Sequence, residues 1–385
     1  MAKHSTRNSS IEALRLVAVA AIAVFHTFQA PFESVCQGYG TYPALEAFPA
    51  SAILGFISQL GAYANEVFFM ISGFFLIESA ARQYGQSGYW RRQTKKTFTR
   101  LSKVLMPALF YCLVTYGVSR FVFPIPGVAE GSISWFTIGL EFIWVYAFAV
   151  ALAPFIGAIQ RRLGSNRFCL FTAAFVIAVS AINIYIAFIA HTENRGLLSW
   201  QKLMSAVTYI CAFIAGGTLR ELLGKLGEKR GRCGTIALVI TVTALVAAEL
   251  LCSASGDYAT MAALSYKSTS IFAFALSFCS LWIAATRKHV AGKRGALVQT
   301  LAAGTIGFYV VQSVTSGLWR PAFQNILDAA YQLYAPVPIS AAAMLIAGTV
   351  LSLAFAFALL AMDWLRRVAS KRLKGMFSYW NPSLK

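Results

Sequence analysis

The chain has 385 residues, 58% of them hydrophobic and only 12% charged, with a mean hydropathy of +0.64. That composition excludes a soluble globular domain and predicts an all-α, polytopic integral membrane protein. The net charge of +19 is distributed in short clusters between apolar runs, with no basic stripe interleaved with stacking aromatics, which argues against a nucleic-acid partner.

At about 20 apolar residues per crossing, about ten spans are expected, over 11–29, 53–78, 101–123, 133–158, 168–190, 203–220, 234–252, 269–286, 297–319 and 338–364. The first is a retained helix rather than a cleaved leader, because Glu12 and Arg15 interrupt its start and no small-residue cleavage site follows. Spans 53–78, 133–158 and 338–364 exceed the need and are expected to tilt or protrude, whereas 203–220 is short and contains Gly216-Gly217. With the N-terminus inside, all of the 33 basic residues except Arg120, Arg195, Lys202, Lys267 and Arg320 face the cytoplasm. This asymmetry predicts an N-in, C-in topology. Residues 1–385 read as a single membrane domain whose last part, 365–385, is a basic cytoplasmic tail, because the longest loop, 30–52, is too short to bury a core of its own. The seven cysteines form no CxxC pair and sit mostly within apolar runs, so neither a disulfide framework nor a metal site is indicated.

Within the first span, Glu12, Arg15 and His26 break an apolar run, and ionisable groups inside a membrane are functional candidates by default. At 100° per residue, Arg15 and His26 lie within about 20° of one another around the helix and Glu12 within about 40° of His26, so all three share one face. His26 is roughly 16 Å beyond Arg15 along the axis. Two readings follow. In one, Arg15 snorkels to the interface and pairs with Glu12 while His26 bonds a neighbouring helix. In the other, this face lines a polar path in which His26 moves a proton. The second span carries Glu66 at mid-depth and then Ser72-Gly73, whose small side chains let a neighbouring backbone approach. A basic run follows, with Arg100 and Lys103 three residues apart on one face at the cytoplasmic edge and Pro107 a turn later. Topology and lipid attraction account for most of that charge, and the pair is also placed to hold a phosphorylated ligand.

Several separated motifs together resemble acyltransferase family 3, integral-membrane acyltransferases that include bacterial cell-surface sugar O-acetyltransferases. The resemblance runs through Glu12, Arg15 and His26 in the first span, Glu66 and the stretch 67–76 (VFFMISGFFL) in the second, and Arg100, Lys103 and Pro107 in the third. It continues through Trp135-Phe136, Tyr146 and Pro154, Tyr209 with Gly216-Gly217, and Gly304 to Gln312. In the last of these, Tyr309 matches the family tyrosine, but the family His three residues later is Gln312, which can hydrogen-bond but cannot take up a proton.

The resemblance implies a membrane O-acyltransferase of the bacterial inner membrane, moving an acyl group, expected to be acetyl, from cytoplasmic acyl-CoA to a hydroxyl of a cell-surface or lipid-linked glycan. No metal is implied. It assigns His26, Arg15 and Glu66 to catalysis, Arg100, Lys103 and Tyr309 to the acyl-CoA donor, and Glu141, Trp135 and Gln312 to the acceptor. An acyl-enzyme on His26 would satisfy the same residues. Two other classes stay open: a proton-coupled secondary transporter, which the lack of an internal repeat weakens, and a non-catalytic member that binds membrane lipid or a partner protein. Trp135, Trp200, Trp319 and Tyr331 fall near the outer ends of spans, where belt anchoring is expected rather than sugar stacking.

Overall fold

The computed structural model describes residues 8–128, 134–137, 139–189, 195–226, 230–265, 269–287, 292–334 and 338–380, and these are all-helical with no strand among them. In chain order the helices are α1 (Ser9–Gln37), α2 (Pro43–Glu46), α3 (Ala50–Ala81), α4 (Tyr89–Phe121), α5 (Ser134–Thr137) and α6 (Glu141–Ile184, continued by a π-helical turn Tyr185–Ile189). There follow α7 (Arg195–Lys225), α8 (Arg230–Ser255), α9 (Tyr258–Leu264), α10 (Ile271–Thr286), α11 (Lys293–Ala302), α12 (Thr305–Val314), α13 (Ser316–Leu333) and α14 (Ile339–Trp380). Eight helical stretches among the described residues are long and apolar enough to cross a membrane, and α10 is apolar but shorter. Lys3, Arg7 and Lys267 lie outside the described residues, as do the side chains of Arg195, Trp200 and Lys202.

α3 is the hub. It packs against α1, α6, α7, α8 and α10, and small residues set the closest of these approaches. A methyl group at Gly73 would overlap the carbonyl oxygen of Phe213 on α7, and one at Gly216 of α7 would overlap the carbonyl oxygen of Met70. The two backbones therefore touch directly, which only glycine on each side permits. Gly217 is similarly filled by Ile77, and Gly61 of α3 by the ring of Phe25 on α1. The interface role expected for Ser72-Gly73 is what the structure shows.

α3 and α7 run parallel, since Asn65 bonds the Tyr209 hydroxyl at 2.9 Å near one end and Glu78 accepts from Arg220 at 2.8 Å near the other. The long α6 reverses along this pair. Before Gly164, Phe142, Tyr146 and Gly157 meet Phe69, Ser72 and Ile77 of α3 in ascending order. After it, Thr172 and Asn183 meet Thr218 and Thr208 of α7 in descending order. Gly164 makes the turn at φ 75°, a left-handed conformation available to glycine without a Cβ clash. The loop expected between spans 133–158 and 168–190 is thus a hinge at one glycine.

Three other expectations are corrected. The span expected over 297–319 is found over Lys293–Val314, but it is broken within: α11 stops at Ala302, α12 begins after Gly304, and residues 316–333 form the separate helix α13 rather than the end of the span. The cause of the first break sits on α14. The Asp363 carboxylate presses against the Cα positions of Gly304 and Gly307, accepts from the Tyr111 hydroxyl at 3.0 Å, and is held by Arg366 at 2.9 Å and Arg367 at 2.8 Å. Arg367 also donates to the Thr300 carbonyl, one of the orphan acceptors at the end of α11. Second, α7 begins at Arg195 and so is not short. Third, Trp319 and Tyr331 are not belt residues. Both are buried, Trp319 donating to the Gln312 carbonyl at 2.8 Å and Tyr331 accepting from the Ala44 amide at 2.8 Å.

Because the α3–α7 contact has no space for a side chain, Gly216→Val should destabilise the protein by about 1–3 kcal/mol, the usual cost of overpacking. A thermal melt in detergent should show a clear loss relative to Gly224→Val, where the space is open.

Candidate functional site

The face of α1 predicted to line a polar path borders two cavities in succession. The first, of about 240 Å³, is lined by Arg15 and Ile22 of α1, Phe68 and Ser72 of α3, Lys103 of α4, Phe142 and Tyr146 of α6, and residues 302–309 including Thr305 and Tyr309. The second, of about 110 Å³, is lined by His26, Gln29 and Glu33 of α1 and by Trp319, Arg320 and Gln324 of α13. Ile22 and His26 are one helical turn apart, about 6 Å of rise, so the two cavities follow one another along the same face.

The first cavity is basic at one end and aromatic within. Arg15 bonds both carboxylate oxygens of Glu12 at 3.1 and 3.0 Å, as the simpler reading of the pair expected, yet its side chain remains partly exposed and still lines the cavity. Lys103 is exposed and makes no bond to a described residue. Arg100, a turn before it, lies within electrostatic range of Tyr146, and its Nη1 is buried with no hydrogen-bond partner. Two cations on one cavity, with an orphaned guanidinium nitrogen one turn before Lys103 on the same helix, suit an anionic ligand. The wall opposite is fixed in place: the Tyr146 hydroxyl and Ser72 share a 2.6 Å hydrogen bond, and the Tyr309 ring rests 4.4 Å from that of Phe142.

α12 connects the two cavities. Thr305, Phe308 and Tyr309 line the first, and Gln312 continues the same face, about 20° around the helix from Thr305. Gln312 is 2% exposed, and its Nε2 has no partner. Its carbonyl holds Trp319, a wall of the second cavity. In that second cavity the ring of His26 presents Nδ1 to Gln29 Oε1 at 3.4 Å and to Arg320 Nη2 at 3.3 Å, while Nε2 engages no described residue.

Other predicted residues are placed apart. Glu66 is fully buried but faces α10, where Ser277 reaches it at 3.4 Å, and it lines neither cavity. No Lys or Arg among the described residues lies within ion-pair distance of it. Glu141 begins α6 and lies within electrostatic range of Tyr309. Trp135, on α5, is half-buried against the main core. Among the described residues no three His, Cys, Asp or Glu side chains gather into a metal-binding group.

Sequence reasoning missed Arg320 as the partner of His26, because 320 falls past the expected end of a span. The signal was available: Trp319, Phe323, Leu327 and Tyr331 recur every four residues, a helical stripe that places Arg320 on a structured element. Asp363 was also missed, although Arg366 and Arg367 at i+3 and i+4 mark it as a fixed carboxylate.

A family model described as an acyltransferase domain, that of acyltransferase family 3, matches residues 8–361. No curated protein and no solved structure matches the chain. A match over nearly the whole length, on a bundle of apolar helices, makes this chain a member of acyltransferase family 3 and a multi-pass membrane acyltransferase.

Proposed function

We propose that the protein transfers an acyl group, acetyl in the simplest case, from acyl-CoA on the cytoplasmic side to a hydroxyl of a cell-surface or lipid-linked glycan on the other side of a bacterial inner membrane. The observation that carries this reading is the pair of consecutive cavities on one face of α1, one basic and one holding His26. In this reading the phosphates of the donor take Arg100, Lys103 and Arg15, and its acyl arm runs past Tyr146, Phe142 and Tyr309 toward Ile22. The acceptor hydroxyl enters the second cavity and gives its proton to His26 Nε2 as its oxygen attacks the thioester carbonyl. The carbon–sulfur bond then breaks, and the CoA thiolate leaves toward the cytoplasm and takes up a proton there. In this scheme Gln312 Nε2, buried without a partner on α12, donates a hydrogen bond to the carbonyl oxygen as charge develops on it. Glu66 has no part in this scheme, while Glu141 and Trp135 lie on the side of Tyr309 and α12.

The topology proposed with it has ten crossings and both termini in the cytoplasm. The reversal of α6 at Gly164 splits one long helix into two crossings, and α10 supplies another. Basic residues then gather at one membrane surface. A single cysteine placed at Ser87 in a cysteine-free background should be labelled by a membrane-impermeant maleimide only in inside-out vesicles, and one placed at Ser255 only in right-side-out vesicles.

The direct test is transfer of radiolabelled acetyl from acetyl-CoA into cell-envelope glycan by inside-out vesicles. His26→Ala should lower incorporation by on the order of 100-fold or more, the usual contribution of a positioned base. If the native envelope takes no label, even from longer acyl-CoAs, acyl transfer is wrong and flux in sealed vesicles becomes the measurement. Arg100→Ala and Lys103→Ala should each raise KM for acyl-CoA about tenfold or more while leaving kcat nearly unchanged, since a charge-assisted hydrogen bond to phosphate contributes about 1.5–3 kcal/mol of binding.

A further inference from the structure

His26 Nδ1 has two neighbours that make opposite demands on it. Arg320 can only donate a hydrogen bond, so its contact at 3.3 Å requires a lone pair on Nδ1. Gln29 Oε1 can only accept, so its contact at 3.4 Å requires a hydrogen on Nδ1. A neutral imidazole satisfies one or the other. When Arg320 is engaged, the ring hydrogen is on Nε2, and Nε2 has no lone pair with which to take a proton. When Gln29 is engaged, the hydrogen is on Nδ1 and Nε2 is a base. The nitrogen the proposed reaction needs is therefore blocked for as long as Arg320 bonds the ring.

Arg320 has no competing partner to draw it away. Among the described residues no carboxylate lies within ion-pair distance of it. Asp328, two turns along α13, is already taken by the Tyr42 hydroxyl at 2.6 Å and by Gln324 at 2.9 Å. Glu33 lines the same cavity but is exposed, about 10 Å of helix rise beyond His26 toward its rim. The guanidinium lies over the Trp319 ring, 5.6 Å from its centroid, on the wall of the space that would receive the acceptor.

We infer that Arg320 is an anion subsite for the acceptor, and that the acceptor is a glycan unit carrying a negative substituent, carboxylate or phosphate, next to the hydroxyl to be acylated. This rests on the acyl-transfer reading above and specifies its substrate class. The anion takes Arg320 into a charge-assisted pair, stronger than its bond to a neutral imidazole. The ring then changes tautomer: one proton leaves Nε2 to cavity water and one arrives at Nδ1, with no change in charge, and Gln29 holds the new form. The base is armed only when a matching acceptor is present, which also protects acyl-CoA from attack by water in an empty cavity.

The test reads the ring directly and is independent of turnover. In the purified protein labelled with ¹⁵N-histidine, the His26 signals, identified as those lost in His26→Gln, should report a hydrogen on Nε2 and none on Nδ1. Methyl glucuronide or glucose 6-phosphate should move the hydrogen to Nδ1, and methyl glucoside should not. In Arg320→Ala the hydrogen should be on Nδ1 without any sugar, whereas Arg320→Lys, which keeps a donating cation, should retain the anion response. Two results overturn the inference: a hydrogen already on Nδ1 in the free protein, or equal responses to neutral and anionic sugars. In the transfer assay, Arg320→Ala should reduce the ratio of kcat/KM for anionic over neutral acceptors at least tenfold. An unchanged ratio overturns the subsite while leaving acyl transfer standing, and absence of transfer to every acceptor by the wild type overturns acyl transfer while the tautomer measurement still decides the subsite.

Discussion

The direct contact between the backbones of α3 and α7, through Gly73 and Gly216, is the constraint on which the rest of the bundle depends. In a bilayer, apolar side chains gain little by leaving lipid for protein, so helices are held by close packing and hydrogen bonds. Two glycines facing each other bring the axes together and let polar pairs along the same seam reach one another, Asn65 with Tyr209 and Glu78 with Arg220. α6 then wraps this pair, its first half on α3 and its second on α7, and one glycine supplies the turn. The aromatic wall of the first cavity, Phe142 and Tyr146, is placed by that first half.

The opposite wall is held by electrostatics rather than packing. Asp363 is 1% exposed and carries two arginines and a tyrosine hydroxyl. A buried charge of this kind persists only when its neighbours satisfy it. Its seat against Gly304 and Gly307 fixes where α11 ends and α12 starts, and so where Thr305 and Tyr309 enter the cavity. The same helix carries Gln312 and, through its carbonyl, orients Trp319. The Asp363 ion cluster and a distant tryptophan are thereby linked by one ten-residue helix. The catalytic arrangement proposed here needs that rigidity, because donor and acceptor approach from different cavities and must meet within bonding distance between them.

Part of the site was legible in the residues themselves. The helical period alone put Arg15 and His26 on one face of α1, and both do line cavities on that face. The spacing of Arg100 and Lys103 placed two cations at one edge; in the structure Lys103 lines the first cavity with Arg15, and Arg100 does not. Glu66 shows the limit of such reasoning. Its depth in an apolar run is visible in the sequence, but its direction depends on which helix covers that side of α3, and α10 covers it with Ser277. Arg320 shows the converse, a residue with an unremarkable local context that becomes a partner of His26 only because α13 lies against the second half of α1.

Composition and periodicity determined that this chain is an all-helical membrane protein and which face of α1 is polar, because both follow from the cost of placing polar groups in lipid and from 3.6 residues per turn. The family motifs, read in order, determined the acyltransferase assignment. Only the tertiary structure decided that a break at Ala303-Gly304 divides α11 from α12, that Glu66 faces α10, and that Arg320 meets His26. Each of these is a contact between residues distant in the chain, and such contacts are fixed by which surfaces fit together, which no local pattern encodes.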